Sequence, residues 1–257
     1  MAHFVIIGAG QAGSSLVAKL RSSGFEGEIT LIGEEHVPPY QRPPLSKAYL
    51  LGDMALERLF LRPESFYADQ HITLKMGTAV TSIDTAKREV HLGDEVISYD
   101  QLALTTGSHA NTLPASIGGA LDGVFTVRTL ADVDAMADHF NAGKRALIVG
   151  GGYIGLEAAA VARKMGVEVT VVEMAERILQ RVAAPDTSDY FRALHQSHGV
   201  KIFEGVGLKS LNGEGYVSGA TLANGTELDV DFVIVGVGIT PNASLAEKAG
   251  LTIENGI

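Results

Sequence analysis

The chain of 257 residues contains no cysteine. That absence excludes structural disulfides, thiolate metal sites, a cysteine-held iron–sulfur cluster and thiol catalysis. Positive charge is also scarce: 20 Lys and Arg against 30 Asp and Glu leave a net charge of −10. A general nucleic-acid or anionic-membrane binder needs a basic footprint and is therefore disfavoured. The longest apolar stretch, Ala146 to Ala162, is broken by four glycines and carries Glu157, so it is no membrane span. The first residues run straight into an apolar strand pattern, without a basic n-region, a long apolar h-region or a small-residue cleavage site. The expectation is a cytoplasmic protein. No Gly-x-Ser-x-Gly elbow, P-loop or His-Glu-x-x-His motif is present, and no metal site is expected. His195 and His198 stand three apart on a helical pattern with no third ligand, which reads as a solvated helix end.

Glycine is abundant instead, at 30 of 257 residues, yet there is no Gly-X-Y period and 46% of residues are hydrophobic. Collagen-like and disordered chains are excluded. The length allows one large or two modest domains.

A repeat organises the chain. Phe4-Val-Ile-Ile-Gly-Ala-Gly-Gln-Ala-Gly13 and Ala146-Leu-Ile-Val-Gly-Gly-Gly-Tyr-Ile-Gly155 each read as an apolar strand, a G-x-G-x-x-G turn and a helix, with leading glycines 142 residues apart. A strand follows each helix, at Glu28 to Ile32 and Glu168 to Val172, completing two βαβ units. Acids then stand at Glu34, 21 residues after Gly13, and Glu173, 18 residues after Gly155. In this motif the first glycine permits the tight turn, the second lets a pyrophosphate approach the backbone, and the third lets helix and strand pack closely. The helix N-terminus holds the phosphate charge while the acid accepts from ribose hydroxyls. Two copies in matching context make dinucleotide binding the reading.

Between the copies, Ile72 to Lys75, Ala79 to Ile83, Glu89 to Leu92 and Val96 to Tyr99 read as short strands, and Leu102 to Gly107 as a buried strand ending in a glycine turn. After the second copy, Val200 to Glu204, Tyr216 to Leu222 and Glu227 to Val230 read as antiparallel strands, and Phe232 to Gly238 as a buried one. Leu130 to Phe140 and Asp186 to His198 have helical periodicity. The fold class expected is α/β: two Rossmann-like three-layer domains, each a parallel sheet with helices and an antiparallel β-meander.

With its two fingerprints, the strand ends Thr105-Thr106-Gly107 and Gly236-Val237-Gly238, and the loop Pro39-Tyr-Gln-Arg-Pro-Pro-Leu-Ser-Lys47, the chain resembles the FAD-dependent, NADH-oxidising ferredoxin reductases. These putidaredoxin-reductase-like enzymes serve bacterial monooxygenases and dioxygenases and are related to apoptosis-inducing factor. The resemblance implies residues 1–110 as the first part of an FAD-binding domain, 111–238 as an NAD-binding domain and 239–257 as a return toward the first. Gly8, Gly10, Ala12 and Gly13 would then hold FAD, with Glu34 on the adenosine ribose and Val80 meeting the adenosine by its backbone. Arg42, Lys47, Thr106, Gly107 and Arg128 would be flavin neighbours. Gly150, Gly152, Ile154 and Gly155 would hold NAD, with Glu173 on its ribose and Gly238 facing it. Lys47 and Glu157 would be catalytic. Members of the family run longer, adding a Gly-Asp segment for the flavin and a C-terminal interface domain that do not follow Ile257 here, so weakened FAD binding is expected.

The residues carry their own arguments. Pro43 and Pro44 stiffen the segment presenting Lys47, which is either an ordinary surface lysine or a charge beside a reduced flavin. Glu157 is either a first-turn acid complementing the helix dipole or a partner of Lys47 across a domain interface near a nicotinamide. The expected reaction is hydride transfer from NADH to FAD and single-electron delivery to a two-iron two-sulfur ferredoxin, or to a rubredoxin. A disulfide reductase would need a cysteine pair. A redox-sensing flavoprotein similar to apoptosis-inducing factor is the alternative. An acidic ferredoxin would need a basic patch, with Arg42, Lys47 and Arg62 as candidates; Arg62 reads either as a docking residue or as a stem packed on Phe60.

Overall fold

The apolar runs beside each glycine turn carry polar groups only at their ends, the pattern of parallel strands buried on both faces. The computed structural model, which describes Met1–Ile257, places them at the centres of two parallel sheets. In the first unit β1 (His3–Ile7) leads into α1 (Gln11–Ser22) and β2 (Glu28–Ile32), with β1 and β2 in register from His3↔Glu28 to Ile7↔Ile32. Lys19 and Arg21 in the last turn of α1 complement its dipole. The chain continues through α2 (Glu64–Asp69) and β3 (Ile72–Lys75) to a meander of β4 (Ser82–Asp84), β5 (Glu89–Leu92) and β6 (Glu95–Ser98). β7 (Gln101–Leu104) then pairs with β1, giving the parallel order β3-β2-β1-β7. Ile6, Val17, Ile29, Leu31 and Tyr67 form the core on the helical face, and Val5, Ile7, Ile32, Val90 and Leu92 form it under the meander. A short strand β8 (Ser108–Ala110) follows.

The second unit repeats the plan with β9 (Val124–Thr126), α3 (Leu130–Ala137), β10 (Arg145–Val149), α4 (Tyr153–Lys164) and β11 (Glu168–Glu173). α5 (Pro185–Ser197) leads to β12 (Lys201–Glu204). A second meander of β13 (Leu208–Asn212), β14 (Gly219–Leu222) and β15 (Glu227–Asp229) precedes β16 (Phe232–Val235). The sheet order is β12-β11-β10-β16-β9, all parallel. Thr129 and Asp132 form a capping box on α3, satisfying two orphan amides at its start. The α/β class with one parallel sheet and one meander per repeat is as the sequence indicates. Finally β17 (Ile239–Pro241) pairs with β8, and α6 (Ser244–Lys248) packs on β4.

Three readings are corrected. β12 is a parallel edge strand, with Thr170 opposite Lys201, not part of an antiparallel set; α5 immediately before it is a crossover, and a crossover returns the chain in parallel. β13 is an additional strand, and it opens the second meander. The segment Arg42–Met54 belongs to the second unit together with Ala110–Ile239, while Met1–Gln41, Ala55–His109 and Thr240–Ile257 form the first. The sequence division places that loop inside residues 1–110. Its side-chain partners, described below, hold it on α3 and α4.

Candidate functional site: two glycine turns and a paired lysine

At each turn the leading glycine is forced. Gly8 has φ +111° and Gly150 +110°, and a Cβ on either would lie 2.1 Å from the Thr105 carbonyl oxygen or 2.4 Å from that of Gly236. The amide of Gly8 donates to the Ile32 carbonyl at 2.8 Å, and Gly150 to that of Val172 at 2.8 Å, so each turn is clamped to its neighbouring strand. The closing glycines are forced too: a Cβ on Gly13 would lie 2.2 Å from the Gly8 oxygen, and one on Gly155 2.1 Å from that of Gly150. The middle glycines differ in kind. Nothing lies within 4 Å of where a Cβ would stand on Gly10 or Gly152. Each caps its helix with no side chain bonded over the first amides, so backbone N–H groups and the positive helix end face open space. Ala12 and Ile154, the equivalent residues of the two turns, are both exposed.

The two acids are held differently. Glu34 is exposed beyond β2. Glu173 ends β11, and its carboxylate accepts from the Gly151 amide at 2.7 Å and the Ala175 amide at 2.8 Å, which fixes it against the turn.

In the second unit the Lys47 ammonium lies 2.6 Å from Glu157 Oε2, and the buried Ser46 hydroxyl donates to that same oxygen at 2.6 Å. Lys47 also donates to the Pro43 carbonyl at 3.2 Å. The pairing proposed from sequence is present, but it is made inside one unit and not across an interface. Tyr49 donates to Asp134 Oδ1 of α3 at 2.8 Å, and burial, reinforced by Asp134, pushes its pKa up to about 12. Arg42 donates to the Arg128 carbonyl at 2.6 Å, while the Arg128 amide donates to Asp132. Arg42, Lys47, Arg128 and Glu157 are therefore all residues of the second unit.

Thr106, Gly107 and Val80 belong to the first unit. The Thr106 hydroxyl donates to the Asn242 carbonyl at 2.6 Å, and Gly107, at φ +64°, accepts from the Asn242 amide at 2.9 Å. Val80 is half-buried on the meander core just before β4 begins. Gly238, at φ +105°, accepts from the Asn111 amide at 3.0 Å. Arg62 donates to the Ser14 hydroxyl at 2.8 Å and lies over the ring of Phe66, 5.1 Å from its centroid; the ring beneath it is Phe66 and not Phe60. At the end of α5 His198 is exposed, as the sequence implies, but His195 is not. His195 is 8% exposed, and burial, with the His198 charge second, lowers its pKa.

Sequence reading missed an acid used identically in both repeats. Asp100 accepts from the His3 amide at 2.7 Å, and Asp231 from the Arg145 amide at 2.8 Å. Each immediately precedes the strand that pairs with the fingerprint strand, so an aspartate before an apolar run in both copies was the available signal. It also missed Thr105, whose hydroxyl donates to the Gly8 carbonyl at 2.8 Å, and Ser46.

The family model for pyridine nucleotide-disulphide oxidoreductase matches residues 2–257. Rhodocoxin reductase of Rhodococcus erythropolis is 43% identical over 255 residues, which cover 98% of this chain and 60% of that protein. Putidaredoxin reductase of Pseudomonas putida is 41% identical over 261 residues, covering 99% of this chain and 62% of the relative. The crystal structure of a covalent putidaredoxin reductase–putidaredoxin complex matches with a TM-score of 0.96 at 40% identity, covering 100% of this chain and 63% of that one. The chain thus spans 60 to 62% of the length of these two curated relatives. The family implies FAD and NAD(H), and the open space at Gly10 and Gly152 suits the phosphates of such dinucleotides. With its whole length matched and both glycine cradles in place, the chain belongs to the pyridine nucleotide-disulphide oxidoreductase family.

Proposed function

We propose that the protein takes a hydride from NADH onto FAD and passes the electrons singly to an iron–sulfur protein, a two-iron two-sulfur ferredoxin in the first instance. The observation that carries this reading is the duplicated glycine cradle in a chain without cysteine. Two cradles suit two dinucleotides, and these 257 residues hold no dithiol to relay an electron pair, which supports release of single electrons from the flavin. Bound FAD supplies the chemistry, since it accepts two electrons together and releases them one at a time.

The chain's own residues hold and orient. In the first unit the amides after Gly10 would hold the FAD pyrophosphate, and Glu34 the adenosine ribose. In the second unit the amides after Gly152 would hold that of NADH, and Glu173 would accept from its ribose hydroxyls. Lys47 would place positive charge where a flavin gains negative charge on reduction, and Glu157 with Ser46 fixes where that ammonium stands.

The test is anaerobic stopped-flow on protein supplied with FAD. NADH should bleach the flavin, and a two-iron ferredoxin should restore its colour within the turnover time. A reduced flavin that persists with NAD bound and is not reoxidised by ferredoxin or rubredoxin would establish a sensor instead.

A further inference from the structure

Helices α4 and α5 leave a groove of about 680 Å³ on the second unit, within the size range of small-molecule sites. Its walls are mostly carbon, from Leu156 and Ala160 of α4, Phe191 and Leu194 of α5, and Leu179 and Val200 beneath. These residues recur at helical spacing on the facing sides of the two helices, so the groove is built by periodicity rather than by a loop.

Its charges are already engaged. Glu157 is paired with Lys47 and Ser46. Arg163 donates to the His198 carbonyl at 2.8 Å and the Val167 carbonyl at 2.7 Å, and Lys164 stands 3.6 Å from Asp53. Tyr153 and His198 are exposed. The exception is His195, more than nine-tenths buried in the groove wall, whose imidazole makes no hydrogen bond to the protein. No buried side-chain nitrogen or oxygen is sealed off without a partner, so its ring nitrogens keep access to solvent at a residue that lines the groove. Burial favours its neutral form, which carries one donor and one acceptor.

We propose that this groove binds an uncharged, largely apolar small molecule through one hydroxyl or carbonyl group that meets His195. A charged ligand would be stripped of water beside groups that already have partners, whereas a neutral one leaves those pairs intact. The proposal does not rest on the electron-transfer reading, and binding alone tests it.

The probe is N-phenylnaphthylamine, whose fluorescence rises in apolar surroundings, titrated into the purified protein. One saturable site per chain is expected, emptied by naphthol. Naphthalene should compete about two- to tenfold less well, the worth of one hydrogen bond, and naphthoate should compete less well than naphthol. His195→Leu should erase the preference for naphthol over naphthalene while the probe still binds. Ala160 is exposed, so Ala160→Trp should fill the groove without unfolding the protein and abolish saturable binding; Leu194→Trp is the second blocking variant. The proposal falls if the probe does not saturate, if naphthoate matches naphthol, if His195→Leu keeps the preference, or if both tryptophan variants bind normally. It also falls if the blocking variants dissociate a dimer, which would make the groove a contact between copies.

Discussion

The two repeats agree at the backbone and diverge at the side chains. Gly8 and Gly150 share one φ to within a degree, the same carbonyl clamp and the same clash with the strand beside them. Asp100 and Asp231 tie down the first residue of each central strand alike. Beyond these, the first unit locks its turn with the Thr105 hydroxyl, and its acid, Glu34, is exposed. The second has Gly236 where Thr105 would stand, and it places Gly151 where the first has Ala9, so that an amide there reaches Glu173. Steric exclusion admits no substitute for the leading and closing glycines, whereas hydrogen bonds that fix an acid can be gained or lost in each copy separately. A fingerprint thus marks a cradle, and what surrounds it decides the ligand.

The largest expected effect tests the backbone half of this comparison. Gly8→Ala and Gly150→Ala force a Cβ onto a carbonyl in a left-handed conformation, and each should cost about 3 kcal/mol or more in urea unfolding. Gly10→Ala and Gly152→Ala meet nothing within 4 Å, so they should leave stability nearly unchanged and weaken dinucleotide binding in their own unit. Equal destabilisation by the leading and middle glycines would show that the middle positions are structural.

Next in size is the choice of nucleotide, which tests the side-chain half. Glu173, held toward the second turn, should repel a 2′-phosphate, and Arg177 does not relieve it because its guanidinium is bonded to Ser188 and the Gln180 carbonyl. NADH should be preferred over NADPH by about a hundredfold in kcat/KM, and Glu173→Gln should remove most of that preference. Glu34→Gln should not alter it. If Glu34→Gln erased the preference and Glu173→Gln did not, the assignments of the two units would be reversed.

Much of this comparison was legible in the sequence because it rests on local rules. Glycine spacing, apolar strands and helix periodicity place β1, α1, β2 and their counterparts β10, α4, β11 within a few residues. What escaped depended on tertiary neighbours. Nothing local distinguishes β12 as a parallel edge from an antiparallel strand, and nothing in Arg42–Met54 announces that Tyr49 finds Asp134 or that Lys47 meets Glu157 inside one unit. His195 carries the same pattern as a solvated histidine; only the packing of α5 on α4 buries it. The aspartate before β7 and β16 is a sequence signal only through its recurrence, since one acid before a strand carries no meaning alone.

That aspartate supplies the third effect. In the second unit Asp231 also receives the Arg145 guanidinium, with Nε at 3.1 Å, and this hydrogen bond holds its carboxyl below the ordinary carboxylate range. In the first unit His3 turns its ring to Thr30 instead, 2.9 Å from the hydroxyl. A depressed folded-state pKa means that the unfolded chain binds the proton first. The stabilisation is therefore complete above the ordinary carboxylate pKa of about 3.9 and is lost as pH falls through the lower folded value. Asp231→Asn should cost about 1 to 3 kcal/mol at neutral pH and flatten the acid limb of the stability profile. Asp100→Asn should cost less, because it forfeits one backbone bond and no guanidinium.

The smallest effect concerns the pair that has no counterpart in the first unit. Lys47 and Glu157 are 2.6 Å apart, but their side chains are 49% and 29% exposed, so water screens much of the attraction. A double-mutant cycle of Lys47→Met and Glu157→Gln should give a coupling of about 0.5 to 1 kcal/mol in urea unfolding, falling with added salt. Ser46 sharpens the measurement. Its buried hydroxyl restrains the same carboxylate oxygen, so Ser46→Ala should reduce the coupling by freeing Glu157 to move. A pair this weakly stabilising would owe its place to where it sets the ammonium rather than to what it adds to the fold. The corresponding expectation is that Lys47→Met alters flavin reduction by NADH far more than it alters unfolding, whereas unchanged reduction with a full loss of coupling would make the pair structural only.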